Sequence, residues 1–334
     1  RAWYATKANG ERELLRAVRE AGLGFECVSL GEIANARQAC PDVAPHEILF
    51  TPNFAARAEY AAALDHGVNL TIDGLHPLEH WPELFQGREI ILRINPDRPR
   101  GHHAHVKTAG PKAKFGIPRD AVPRAKELAE AAGARVIGLH AHAGSGVTEP
   151  EHWREIGAIL AEAAGAFPDA RLLNVGGGLG VPETADAPAL DLLRVDADLA
   201  QLKKTHPQYA LWMEPGRYLV AEAGVLIARV TQVKHAFGAR FIGIGTGMNS
   251  LIRPALYGAR HEIVNLTRLG ETPAGLASIV GPICESADLF GAERLMPETR
   301  EGDVILIAEA GAYGHVMASR YNLREPAGEL VIGA

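Results

Sequence analysis

The chain is poor in cysteine, carries no surplus of positive charge and has no long apolar run. Three cysteines (Cys27, Cys40, Cys284) among 334 residues are too few and too scattered for a disulfide framework or a zinc knuckle. A reducing cytoplasm is the simplest setting for such usage. Lys and Arg number 34 against 40 Asp and Glu, a formal net charge of -6. That balance leaves no basic footprint for nucleic acid, so such a partner is discounted. No apolar run reaches the roughly 18 residues that a membrane span needs. No signal peptide is visible, because the chain opens directly on a strand-like run. Internal repeats and low-complexity segments are also missing. What remains, 47% hydrophobic and 22% charged, is ordinary for a globular protein. The length suits two domains, or one barrel with an appendage.

Eight apolar, strand-like runs follow in regular order: 3–7, 25–29, 47–51, 68–72, 89–95, 135–143, 171–176 and 209–214. Most are continuous and β-branched rather than alternating, as in strands buried on both faces. Helical stretches separate most of them, at 11–22, 118–133 and 149–167, with Gly22 a natural stop for the first. Between runs four and five Pro77 and Pro82 interrupt the pattern. Eight such units in about 215 residues predict an α/β fold, a (β/α)8 TIM barrel with its site at the C-terminal strand ends. After Gly216 helical periodicity fades. Runs at 224–236, 240–244, 261–267, 278–283 and 303–310 predict a mostly antiparallel β domain. The expected domains are therefore 1–222 and 223–334.

The strand ends carry the chemistry. Lys7, closing WYATKAN, stands where an amine is placed to form a Schiff base. Run six ends in HAHAGSG, with His140 and His142 two apart and so facing one way in a strand. Such a pair suits zinc, or it is simply a hydrogen-bonded strand-end pair. A third reading uses Gly144, Ser145 and Gly146 to let an anion approach while His142 lies against a flat ring. Run seven ends in NVGGGLG, where Gly177 and Gly178 permit close backbone approach to a phosphate, although a glycine turn needs no ligand. Its late place in the chain disfavours a dinucleotide fold. Run eight ends in MEPGRY. Glu214 suits pairing with a protonated pyridine nitrogen and Arg217 suits a phosphate or carboxylate, against the plainer reading of a structural Glu–Arg pair. Further on, Cys284 and Glu285 stand together in GPICESAD, Tyr313 lies in GAYG, and Arg253 and Tyr257 lie in RPALY. Taken alone, the cysteine reads as inert core and the arginine as solvated surface.

Together, YATKAN, HAHAGS, GGGLG, EPGR, CES and GAY, in that order over nearly the whole chain, resemble the fold-type III pyridoxal-phosphate decarboxylases of the alanine racemase-like group. RINPDRPRGHHAHVKTAGPKAKFG (93–116), GMNSLIRPALYGARHEI (247–263) and GPICESADLF (281–290) are similar to the diaminopimelate decarboxylase subfamily. Glu285 follows the cysteine where ornithine decarboxylase-like chains have aspartate. The chain departs from the GGxxSKFG pattern at Ala109 and Ala113, and Gly245 and Thr246 replace an expected aspartate before GMN. Family members have a lead-in before the lysine strand and continue past the ELVIG-like end, so the chain is expected to be a clipped segment. TGMNSLIRPALYGARHE resembles the version fused behind an aspartate kinase.

The resemblance implies decarboxylation of meso-2,6-diaminopimelate to L-lysine and CO2, the last step of lysine biosynthesis, with pyridoxal 5'-phosphate as cofactor and no metal. It implies Lys7 as the cofactor-bearing residue and His142 against the ring. Glu214 meets the ring nitrogen, and Glu26 lies near the ring, orienting His142 or the Schiff base. Ser145, Gly177, Gly178, Gly216, Arg217 and Tyr313 surround the phosphate. Cys284 or Lys7 is the implied proton donor. Arg217, Arg253, Tyr257, Glu285 and Tyr313 are the implied substrate contacts. It further implies a two-fold homodimer in which the Cys–Glu segment reaches the neighbouring site. Three alternatives stand beside it: a sister decarboxylase for ornithine, lysine or a carboxylated polyamine; a metal-dependent barrel hydrolase using His140 and His142; and a non-catalytic cofactor-binding domain.

Overall fold

A strand that is apolar on both faces must be covered on both, and a closed parallel barrel wrapped by helices achieves this. In a computed structural model describing residues 1–97, 110, 113–184 and 186–333, all eight predicted runs are strands. They are β1 Trp3–Ala5, β2 Gly24–Cys27, β3 Ile48–Phe50, β4 Asn69–Ile72, β5 Glu89–Asn95, β6 Arg135–His140, β7 Leu172–Asn174 and β8 Ala210–Trp212. Each pairs in parallel with the next. Closure comes from a parallel bridge between Ala2 and Met213, with Trp3 N donating to Met213 O at 2.8 Å and Ala5 N to Pro215 O at 3.0 Å.

The barrel core draws residues from six of its eight strands. Trp3, Leu49, Ile91, Ile137 and Leu172 form one buried cluster against Trp212, whose ring centroid lies 4.8 Å from that of Trp3. Gly24 makes room for it: a Cβ there would lie 2.5 Å from the Trp3 ring. The helices begin where local chemistry satisfies their free amides. Glu11 accepts from Glu13 N and Leu14 N at the start of α1 (Arg12–Glu20), and Ser29 accepts from Glu32 N at the start of α2 (Leu30–Ala39). Pro77 and Pro82 break the fourth connection into a five-residue helix, His76–His80, and a 3-10 turn, Pro82–Phe85. Most of the loop 93–116, including Ala109, falls outside the described residues.

The chain divides into two units, 1–180 with 189–216, and 181–188 with 217–333. The second unit is a six-stranded sheet. Its strands are β9 Leu226–Ala236, β10 Ala239–Ile244, β11 Ile263–Asn265, β12 Gly275–Val280, β13 Leu289–Met296 and β14 Val304–Ile307, in spatial order β11-β14-β9-β10-β12-β13. All pairings are antiparallel except β10 with β12. β13, LFGAERLM, escapes the sequence pattern because Gly291, Glu293 and Arg294 break its apolar run. Val230, Ile242, Ile279, Phe290, Ile305 and Ile307 centre its core.

Candidate active site

Every barrel strand delivers one polar side chain to the C-terminal end. Going round from β1 they are Lys7, Glu26, Thr51, Asp73, Arg93, His140, Asn174 and Glu214. Apart from Lys7 these groups are buried, so each needs a partner. Lys7 sits in a 3-10 turn, Thr6–Ala8, just past β1, and its amine ion-pairs with Glu26. Thr51 donates its hydroxyl to the other Glu26 oxygen. Arg93 lies 3.2 Å from Asp73 Oδ1 and donates to Asn53 Oδ1 at 2.9 Å, with the Phe115 ring 4.6 Å from its guanidinium. Asn174 Nδ2 donates to Glu214 Oε1 at 2.8 Å. His140 Nε2 stands 3.2 Å from Glu214 Oε2, within ion-pair range though off a hydrogen-bond line.

The two carboxylates are driven apart. Burial raises the Glu26 carboxyl above its usual range, against the opposing charge of Lys7. Burial pushes Glu214 the same way, but His140 beside it, then Lys7, more than offset this and hold it down to about 2. Glu214 is thus an anion at any working pH, while Glu26 is the more readily protonated of the two. Such divergence assigns distinct roles to paired acids. His142 is lowered to about 3, chiefly by burial and then by Arg93 and Lys7, so its ring is neutral. β6 ends at His140, and His142 lies beyond it in the following loop, so strand alternation does not govern the pair. His142 Nδ1 accepts from Gly177 N at 3.2 Å. Among the described residues no group of three or more His, Cys, Asp or Glu side chains could hold a metal ion.

The glycine run has a cause within the protein. A Cβ on Gly177 would lie 2.0 Å from Glu214 O, and one on Gly178 2.2 Å from Gly144 O, where φ is also +87°. The ends of β6, β7 and β8 therefore approach backbone to backbone, with Glu214 N donating to Gly176 O at 2.9 Å. Ser145 lies in the loop after β6, partly buried. Gly216 packs on β1, where a Cβ would come within 3.0 Å of Ala5 Cβ.

The second unit carries the remaining predicted residues in three places. The Arg217 guanidinium stacks 4.7 Å from the centre of the Tyr313 ring, and Tyr313 adopts a left-handed φ of 55°. That conformation is costly for an aromatic residue. Arg253 and Tyr257 bound the short helix Arg253–Tyr257, and Arg253 Nη1 stands 3.1 Å from His261 Nε2. Cys284 and Glu285 lie exposed on a loop. Tyr321 donates its hydroxyl to Glu285 Oε1 at 2.6 Å, and Cys284 N donates to Asn322 Oδ1 at 2.7 Å.

Sequence reasoning missed Thr51, Asp73, Arg93, Asn174, His261 and Tyr321 as site residues. Arg93 had a usable signal, a lone charge inside the apolar run EIILRIN. Asn174 had one too, an amide closing a buried strand. Tyr321 had none, because its partner Glu285 lies 36 residues away.

Comparison with known proteins agrees with this geometry. Residues 1–221 match the family model of the pyridoxal-dependent decarboxylases, pyridoxal binding domain. A diaminopimelate decarboxylase of Methanothermobacter thermautotrophicus is 36% identical over 342 residues, covering 99% of this chain and 79% of the relative. The diaminopimelate decarboxylase of Escherichia coli is 32% identical over 340 residues, covering 96% and 81%. Among solved structures, Helicobacter pylori diaminopimelate decarboxylase complexed with L-lysine superposes with a TM-score of 0.88 at 31% identity, covering 96% of this chain and 82% of that one.

Proposed function

The chain belongs to the pyridoxal-dependent decarboxylases, among the diaminopimelate decarboxylases, and from that membership we propose how its residues divide the work. The reaction is pyridoxal-phosphate-dependent decarboxylation of meso-2,6-diaminopimelate to L-lysine and CO2. The observation that carries the assignment of roles is the ring of polar strand ends, with an amine, an ionised carboxylate and a neutral imidazole in one barrel end. This donor set fits pyridoxal phosphate. Lys7 would hold the group covalently, and Glu214 would face its ring nitrogen. His142 would lie on the ring face, and Glu26 would orient Lys7. Bound, the cofactor supplies the electron sink that accepts the pair left behind by CO2.

The chain's own groups do the rest. Asn174 and His140 fix the Glu214 carboxylate, so that its charge is in place before the ring nitrogen arrives. Glu26 takes or releases the proton that Lys7 exchanges. Ser145, Gly177, Gly178, Gly216, Arg217 and Tyr313 are assigned to the phosphate, and Arg217 and Tyr313 also to the substrate. The stacking of Arg217 on Tyr313 supports the joint role of that pair. Arg253, Tyr257 and Glu285 are assigned to the distal amino-acid end, and Cys284, or Lys7, to reprotonation of the α-carbon. The proposal includes a two-fold homodimer in which Cys284 and Glu285 serve the partner's site. Their exposure on their own unit and the resemblance of the CES segment support it. Three free thiols, two of them buried, suit a reducing compartment, the cytoplasm.

The test is an absorbance spectrum of the protein with pyridoxal phosphate, followed by borohydride reduction and peptide mapping. The cofactor should be trapped on the peptide containing Lys7, and Lys7→Ala should abolish both the bound band and turnover. Trapping on another lysine, or decarboxylation by cofactor-loaded Lys7→Ala, would sink the assignment.

A further inference from the structure

One buried histidine of the second unit has no part in the roles above. His261 is fully buried just before β11, and both of its ring nitrogens are engaged. Nδ1 lies 2.8 Å from Ala308 O, and Nε2 lies 3.1 Å from Arg253 Nη1. A carbonyl only accepts, so Nδ1 carries the proton. A guanidinium only donates, so Nε2 must offer its lone pair. The two partners leave one tautomer and one charge state. Among the charges that act on the ring most strongly, Arg253, Arg217 and Arg294 are all cations. Burial first, then Arg253, lowers His261 to about 4, in keeping with a neutral ring.

Arg253 needs such a partner. It is 5% exposed at the start of a five-residue helix, and its Nε is buried with no hydrogen-bond partner among the described residues. Burial, then Arg217, brings it down to about 10, so it stays charged at neutral pH. A long side chain on so short an element has several free torsions. One acceptor that engages Nη1 leaves the remaining N–H groups to form a fork with a carboxylate.

We propose that His261 is the positioning residue that holds Arg253 for the distal carboxylate of the substrate, as a neutral imidazole braced on the Ala308 carbonyl. The proposal rests on the assignment of Arg253 to that carboxylate. It makes His261 a specificity determinant. With the guanidinium fixed, a substrate lacking the distal carboxylate leaves the fork of buried N–H groups unfilled.

The experiment measures kcat and KM for meso-2,6-diaminopimelate in cofactor-loaded His261→Leu, His261→Gln, Arg253→Met and the His261→Leu/Arg253→Met double variant. Loss of one hydrogen bond to a charged group should raise KM about tenfold or more in His261→Leu, with kcat within about twofold. The Gln side-chain oxygen can accept from Arg253, so His261→Gln should recover most of that loss. In the Arg253→Met background His261→Leu should add less than about twofold, because it acts through Arg253. An unchanged KM in His261→Leu, a Gln variant no better than Leu, or independent effects in the double variant would each overturn the proposal. If Arg253→Met alone leaves KM unchanged, the assignment of Arg253 fails and takes this proposal with it. Should the Leu variant not fold, nitrogen NMR of histidine-labelled parent protein decides. A protonated Nδ1 and bare Nε2 throughout pH 6 to 9 supports the proposal, and an Nε2–H form overturns it.

Discussion

Asn174→Asp is nearly isosteric and tests the contact between Asn174 and the Glu214 carboxylate. In the parent, Asn174 Oδ1 accepts from Gly176 N at 3.1 Å while its amide donates to Glu214 Oε1. The substitution keeps the first bond and sets a second carboxylate oxygen against Glu214. Two unit charges at the parent spacing of 2.8 Å repel by about 6 kcal/mol at an effective dielectric of about 20. Protonating an ordinary aspartate at pH 7 costs about 4 kcal/mol. Protonation is the cheaper route, so the folded variant binds one shared proton, with an apparent pKa of about 8. The unfolded chain releases that proton near pH ~4. Because the folded state then binds more protons, its stability relative to the parent must fall as pH rises. The slope is about 1.4 kcal/mol per pH unit between pH ~4 and ~8. Denaturant unfolding of both proteins from pH 5 to 8 reads this directly. A stability difference that stays constant over that range would refute the contact between Asn174 and Glu214.

Three further outcomes follow from the same geometry. Gly177→Ala should lower the melting temperature by several degrees, since a Cβ 2.0 Å from Glu214 O forces the β7 and β8 ends apart, at about 1–3 kcal/mol; an unchanged melting temperature would contradict the backbone approach. Glu285→Asp withdraws the carboxylate from Tyr321 and should raise KM for meso-2,6-diaminopimelate several-fold while leaving cofactor affinity alone, whereas equal loss of both would make Glu285 structural. The lowered Glu214 carboxyl contributes stability that is present above its ordinary value of 4.5 and lost as pH falls toward about 2. The deficit of Glu214→Gln should therefore shrink on acidification below pH 4.5, and a deficit that grows instead would reverse the sign of the His140 effect.

The barrel was legible because its strands are apolar on both faces, a pattern that survives without tertiary context. All eight runs became strands, and the proline-broken connection after β4 became the short helix and turn that Pro77 and Pro82 allow. One strand of the second sheet was not legible. β13 carries Glu293 and Arg294 on a strand with exposed positions, so its pattern reads as loop until a neighbouring strand is there to pair with it. Motif residues such as Lys7 and Glu214 stood out, since they close apolar runs with a charge. The partners that hold the carboxylates did not: Asn174 meets Glu214 across 40 residues and Thr51 meets Glu26 across 25, separations that no local pattern encodes. The glycine run shows the reverse. It was visible at once, but its cause includes the close approach of Glu214 and Gly144 carbonyls, which only the closed barrel reveals.

The central claim is that this chain decarboxylates meso-2,6-diaminopimelate with pyridoxal phosphate. The most direct measurement is product analysis after adding meso-2,6-diaminopimelate to the protein loaded with the cofactor. The account predicts L-lysine and CO2 in equal amounts, with neither formed when the cofactor is withheld. Folded, cofactor-loaded protein that leaves meso-2,6-diaminopimelate intact while releasing CO2 from ornithine or lysine would contradict it.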